Sequence, residues 1–169
     1  NKSSVWIIDP IDGTNNFIHG IPHFAISLAL QFENEIIIGV VYDPLRNDIF
    51  YAEKNNGAYF NNYRIRVSKK NDIEDCLFAT NHNGVKNTTL NTRHTGCAAL
   101  DLAYVGAGKF DGYFHNDINL WDIAAGSLIV KEAGGVVNGL EDGFSYDDIN
   151  IRASNGIIHQ KMITNLGKF

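Results

Sequence analysis

The stretch from Phe24 to Tyr42 limits the possible folds more than any other part of the chain. Phe24, Ile26, Leu28, Leu30 and Phe32 alternate with smaller or polar neighbours, which is the period of a half-buried strand. Glu33-Asn34-Glu35 supplies a turn, and Ile36–Tyr42 is a continuous β-branched run suited to a central strand. A turn this short joins antiparallel neighbours only. Val5–Ile8 adds a short buried β run that ends at Asp9-Pro10. Downstream, Arg46-Asn47-Asp48, Asn55-Asn56-Gly57 and Asn61-Asn62 punctuate strands expected at 48–53, 58–60 and 63–67. The first third therefore reads as an antiparallel meander.

The second half changes character. Cys76–Thr80 is strand-like, Asn81–Arg93 is polar without a clear period, and the Ala- and Leu-rich Gly96–Gly108 reads as a helix. Gly112–His115 is a short strand. Trp121, Ala124, Ala125, Leu128 and Ile129 recur at helical spacing, and Gly134-Gly135 supply the stop. Val136-Val137 opens another strand, and Gly156–Leu166 suits a closing helix. The expected fold is α/β, an α+β layered sandwich of alternating helix and sheet layers. With 169 residues and 44% hydrophobic positions, one packed domain is expected.

Fourteen basic against nineteen acidic residues give a formal net charge of −5, with no long run of either sign. A nucleic-acid scaffold would carry a basic patch, so none is expected as a partner. The longest apolar stretches, Phe24–Leu30 and Ile36–Tyr42, are too short to span a bilayer as helices. Cys76 and Cys97 make neither a disulfide framework nor a zinc site, and the expected compartment is the reducing cytoplasm. Asn1 is not an initiator Met, and by Val5 the chain is already inside an apolar run. A further upstream segment is therefore expected.

The chemistry concentrates in Asp9-Pro10-Ile11-Asp12-Gly13-Thr14-Asn15-Asn16-Phe17. Two carboxylates leave the end of a buried strand, with Pro10 stiffening the chain between them. Gly13 permits a tight turn, and Thr14 then starts a short helical segment whose free N–H groups suit a phosphate. Hard divalent cations prefer carboxylate and carbonyl oxygens, so Asp9, Asp12 and the Ile11 carbonyl form a plausible Mg²⁺ half-site. The plainer reading of the same residues is a strand, an Asp-Gly turn and an Asp cap. Asp122 carries the same ambiguity. It can close a capping box with Asn119, or bring a third carboxylate to the same metals from a distant segment. Spacing alone does not decide whether the two segments meet.

Asp9-Pro10-Ile11-Asp12-Gly13-Thr14 with Asn16-Phe17 closely resembles the first signature of the inositol monophosphatase family. Trp121-Asp122-Ile123-Ala124-Ala125-Gly126, running into Glu132-Ala133-Gly134-Gly135, resembles the second. Thr95–Val105 and Asp111-Gly112-Tyr113-Phe114 look like that family too, in the right order. The resemblance implies a sugar-phosphatase-like fold of which residues 1–169 form the C-terminal two-thirds, with the N-terminal elements lying upstream. It also implies a Mg²⁺-dependent phosphomonoesterase, with Mn²⁺ able to substitute, lithium-sensitive in several members, and a homodimer. By carry-over, Asp9, the Ile11 carbonyl, Asp12 and Asp122 ligate metal. Gly13 and Thr14 hold the phosphate, and Thr14 helps orient the attacking water. Backbone at Gly96, Cys97 and Ala98, with the side chain of His115, faces the substrate alcohol. Metals in such a site neutralise phosphate oxygens, lower the pKa of bound water and steady the leaving alkoxide.

The chain departs from that pattern in three places. The family's upstream Gly-Glu-Glu-like segment and a further acidic partner of the threonine would precede Asn1. The polar stretch Asn81–Arg93 is shorter than its counterpart. Position 115, commonly Glu in inositol-selective members, is His115. These leave open a cyclitol or sugar phosphate, a nucleotide 2′- or 3′-phosphate or sugar bisphosphate, and a catalytically incomplete metal-binding fragment. Other signals carry less. Gly20 and Pro22 between His19 and His23 favour a loop over a zinc-binding helix. Neither a dinucleotide fingerprint, a P-loop nor a Gly-x-Ser-x-Gly elbow occurs. Cys97 reads as a small buried residue at a helix start, not as a nucleophile.

Overall fold

A computed structural model describes residues 4–81, 89–139 and 149–166. Six antiparallel strands form the first sheet in sequence order: β1 (Ser4–Asp12), β2 (Ala25–Phe32), β3 (Glu35–Asp43), β4 (Asp48–Glu53), β5 (Gly57–Phe60) and β6 (Tyr63–Arg64). The expected meander is thus present. A short helix, α1 (Thr14–Ile18), interrupts it after β1.

The second sheet draws on β7 (Phe78–Ala79), β8 (Thr92–Arg93), β9 (Gly112–Ile118), β10 (Gly135–Asn138) and β11 (Ile149–Asn155), in the order β10-β11-β9-β7-β8. Its β7 runs parallel to both neighbours, whereas β9, β11 and β10 pair antiparallel. Between the sheets lie α2 (Ala98–Gly106) and α3 (Leu120–Glu132), packed on each other. Helix α4 (His159–Leu166) covers the far face of the second sheet, where Ile158 and Met162 meet Phe78 and Phe114. The layered sandwich follows. Residues 82–88 of the expected polar stretch lie outside the described residues.

Where α3 packs closest, the first sheet presents mostly small residues, while Val41 and Phe50 fill the neighbouring buried row. Ile7, Ala29, Gly39, Ala52 and Ala58 pair across five strands as one buried row beneath α3. The reason is the close approach of the helix. A Cβ on Gly39 would lie 2.7 Å from the Ala125 carbonyl oxygen, and one on Gly126 would lie 2.5 Å from Leu102 Cβ on α2. Bulk is excluded at that crossing, and Ile26, Leu28 and Leu30 point to the other face. Trp6 and Ile8, 54% and 53% exposed, share their side of the sheet.

Candidate active site

Two sheet rows bring the distant acidic segments together. On β1, Asp9 pairs with Ser27 of β2. The buried Ser27 hydroxyl donates to the Trp121 carbonyl at 3.2 Å, which pins the start of α3 against the end of β1. Asp122 follows Trp121 in the first turn of α3. The capping box considered for it does not form, because Asn119 makes no side-chain bond to the helix backbone. Instead Asn119 Nδ2 reaches Asp122 Oδ2 at 3.5 Å. Oxygens of Asp9, Asp12 and Asp122 all lie within 4.8 Å of one another.

Local bonds fix each member. The Ile11 N–H donates to Asp9 Oδ1 at 2.9 Å, and the Thr14 hydroxyl donates to the Ile11 carbonyl at 2.9 Å. Gly13, with φ +86°, takes the left-handed conformation that turns β1 into α1, and a Cβ there would sit 3.1 Å from the His23 carbonyl oxygen. Asp12 is buried under the start of α2, where its Oδ2 accepts the Ala99 N–H at 2.6 Å and the Cys97 thiol at 3.1 Å.

The electrostatics are those of crowded carboxylates. Burial pushes the Asp12 carboxyl up to about 6, against the opposing bonds from Ala99 and Cys97, and the Asp9 charge adds to the rise. Burial, the Asp12 charge and a bond with Asp9 push Asp122 up to about 7. Three hard oxygen donors gathered this tightly fit a divalent cation, whose charge offsets both the burial that chiefly raises these values and the repulsion that adds to it. The Ile11 carbonyl retains a second lone pair beside its bond from Thr14.

A cleft of about 220 Å³ opens over this floor. Asp12, Gly96, Ala98, His115 and Asp122 are among the residues that line it. Thr14 stands exposed on α1, next to the buried Gly13. Cys97 is fully buried beneath the cleft, with its thiol on Asp12 and its SH group raised in pKa by burial. His115 is half-buried, its ring stacked 6.4 Å from that of Tyr113.

Sequence reasoning missed Asn81, Asp117 and Asn119, which also line the cleft. It also missed the frame behind Gly96. Asn81 Oδ1 accepts the Gly96 N–H at 2.8 Å, while Asn16 Nδ2 donates to the Thr95 and His23 carbonyls at 2.9 and 2.8 Å. The Thr95 hydroxyl donates to Asp101 at 2.7 Å, and burial holds that carboxyl well above the usual range. A carboxylate inside the Ala- and Leu-rich run was the available signal for Asp101.

The chain is thus a layered α/β protein with an acidic, metal-type site where a sheet strand ends and a helix starts. Residues 1–168 match the inositol monophosphatase family, and the chain belongs to it. It is 41% identical to the Nus factor SuhB of Escherichia coli K12 over 177 residues, covering 95% of this chain and 66% of that protein. It is 46% identical to the Thermotoga maritima fructose-1,6-bisphosphatase/inositol-1-monophosphatase over 172 residues, covering 94% and 66%. Among solved structures, the extragenic suppressor protein suhB of Bartonella henselae superposes with a TM-score of 0.90 at 44% identity, covering 98% of this chain and 73% of that one. The chain spans 58–66% of the length of the curated relatives it matches.

Proposed function

We propose that this chain belongs to a Mg²⁺-dependent phosphomonoesterase acting on a small phosphorylated alcohol, such as a cyclitol or sugar monophosphate. The meeting of Asp9 and Asp12 from β1 with Asp122 from α3 beneath an open cleft carries this reading. Those carboxylates and the Ile11 carbonyl would hold Mg²⁺, or Mn²⁺ in its place. A metal bound there supplies charge neutralisation for phosphate oxygens and a bound water of lowered pKa.

The remaining work falls to the chain itself. Backbone N–H groups at Gly13 and Thr14 bind the phosphate. The Thr14 hydroxyl gives its hydrogen to Ile11, so its oxygen is left to accept a hydrogen from the attacking water and orient it. Gly96, Cys97 (through its backbone) and Ala98 face the alcohol together with His115. The free, buried Cys76 and Cys97 suit a reducing, cytoplasmic setting, and a homodimer without membrane or nucleic-acid scaffold is carried over from the family resemblance alone. Among the described residues no helix is long and apolar enough to cross a membrane.

A second reading, a sugar bisphosphate or a nucleotide 2′- or 3′-phosphate as substrate, is favoured by His115. An imidazole there adds no negative charge where a glutamate would add one, and its ring can donate a hydrogen bond. The test is phosphate release from inositol 1-phosphate and fructose 1,6-bisphosphate. Expected are dependence on Mg²⁺, inhibition by lithium, and a loss of at least about a hundredfold in Asp122→Asn. Turnover that persists in EDTA would overturn the metal-dependent reading. Metal binding without turnover of any monoester would leave a catalytically incomplete metal-binding fragment.

A further inference from the structure

One wall of the cleft carries a carboxylate held in place by an irregular strand. On β9 and β11, His115 faces Ile151 and Ile118 faces Ile149, so three steps on β9 oppose two on β11. One residue of β9 is therefore extra, and such a bulge re-aims a side chain. The chain absorbs it at Asp117, whose φ of +57° lies in the left-handed region. A non-glycine residue there is strained and persists only where its surroundings enforce it.

Those surroundings are built. The Asp117 N–H donates to Asn150 Oδ1 at 3.3 Å. Next to it, the half-buried Arg152 donates to the His115 carbonyl at 3.0 Å and to Asn116 Oδ1 at 2.7 Å, clamping the bulge from β11. The result is an exposed acidic residue that lines the cleft together with His115, Asp12 and Asp122. Among the described residues no hydrogen bond or ion pair engages the Asp117 carboxylate, whose acceptor oxygens are left for a ligand.

We infer that Asp117 is a specificity-determining residue that accepts hydrogen bonds from hydroxyls of the leaving alcohol and turns away a second phosphate. The inference rests on the phosphomonoesterase reading and narrows it to polyhydroxylated, singly phosphorylated substrates. It sets Asp117 against the anion tolerance that His115 alone would give. A carboxylate accepts from vicinal hydroxyls and repels a phosphate dianion, and loss of a charged hydrogen-bond partner is commonly a tenfold effect or more.

The test measures binding with Ca²⁺ in place of Mg²⁺, by calorimetry, for inositol 1-phosphate, methyl phosphate and fructose 1,6-bisphosphate. Methyl phosphate reports the phosphate site alone. Asp117→Gly removes the carboxylate and fits the left-handed backbone, and Asp117→Asn keeps the shape without the charge. In Asp117→Gly the preference for inositol 1-phosphate over methyl phosphate should fall about tenfold. The bisphosphate should bind more tightly in both variants, and methyl phosphate should be unchanged. If methyl phosphate binds while the preference in Asp117→Gly stays within about twofold of the parent, Asp117 does not read the alcohol. If methyl phosphate fails to bind the Ca²⁺-loaded protein, the phosphate site itself is refuted, and this inference goes with it.

Discussion

The Ser27 hydroxyl donates to the carbonyl of Trp121, 94 residues away in sequence, at 3.2 Å. Ser27 sits opposite Asp9 in the sheet register and Trp121 immediately precedes Asp122, so this bond sets the separation of the two acidic segments. Ser27→Ala should lower stability by about 1 kcal/mol, a typical loss for one such bond. The more telling result is a several-fold weaker Mn²⁺ affinity by calorimetry, since Asp122 loses its anchor. Unchanged affinity would show that α3 is positioned by its packing on the sheet and on α2, without this bond.

Divalent metal should stabilise the fold. Two carboxylates about 4 Å apart repel by about 4 kcal/mol at an effective dielectric near 20. Millimolar Mg²⁺ or Mn²⁺ should therefore raise the melting temperature over that in EDTA, by binding the folded state preferentially. Asp9→Asn and Asp122→Asn should blunt the rise. An identical melting temperature with and without metal would refute a shared site.

Much of this site is visible in the sequence, and what is hidden is hidden for physical reasons. Asp9, Asp12 and Gly13 lie within five residues, so their turn chemistry is local and readable. The alternation in β2 identifies a strand but not its buried face. Hydropathy favours Ile26, Leu28 and Leu30, whereas the approach of α3 selects Ala25, Ser27 and Ala29. That approach is set by residues 125 and 126, far away in the chain. β11 is legible, since Ile149, Ile151 and Ala153 alternate with Asn150, Arg152 and Ser154 at the period of a half-buried strand, but so short a run makes a short signal. Asp117 is undetectable locally, because a bulge is a mismatch between two strands and belongs to neither sequence alone.

Asn16 ties the metal loop to the substrate wall. Its side-chain amide donates to the His23 and Thr95 carbonyls, and the left-handed Gly96 packs so closely that a Cβ there would meet Asn16 Nδ2 at 2.9 Å. Asn16→Ala leaves two carbonyls without their donor and should cost about 1–3 kcal/mol. For a domain of this size that is a fall in melting temperature of roughly 2–4 °C per kcal/mol. Methyl phosphate affinity in Ca²⁺ should fall as well, because Gly96 and α1 no longer share a fixed frame. A stability loss with undiminished phosphate affinity would confine Asn16 to a folding role.

Without metal, the acidic cluster should make the protein less stable as pH rises towards neutrality. The Asp12 and Asp122 carboxyls stand at about 6 and about 7, against 3.8 for an unperturbed aspartate. Asp101, raised well above its ordinary value by burial, acts in the same direction. The folded chain therefore holds protons that the unfolded chain has already released above pH 4. By linkage, the contribution of these groups is fully present below about pH 4 and is lost as pH rises through about 6 to 7. Bound Mg²⁺ needs ionised carboxylates, so its stabilisation should grow over the same window. In EDTA the melting temperature should fall between about pH 5 and 7.5, and the gain on adding Mg²⁺ should widen. Asp122→Asn removes one raised carboxyl and should flatten the EDTA curve, which separates this cluster from other titrating groups. An EDTA curve that rises across the window, with the same shape in Asp122→Asn, would show that burial and neighbouring charge do not hold these carboxyls above their ordinary range in the folded protein.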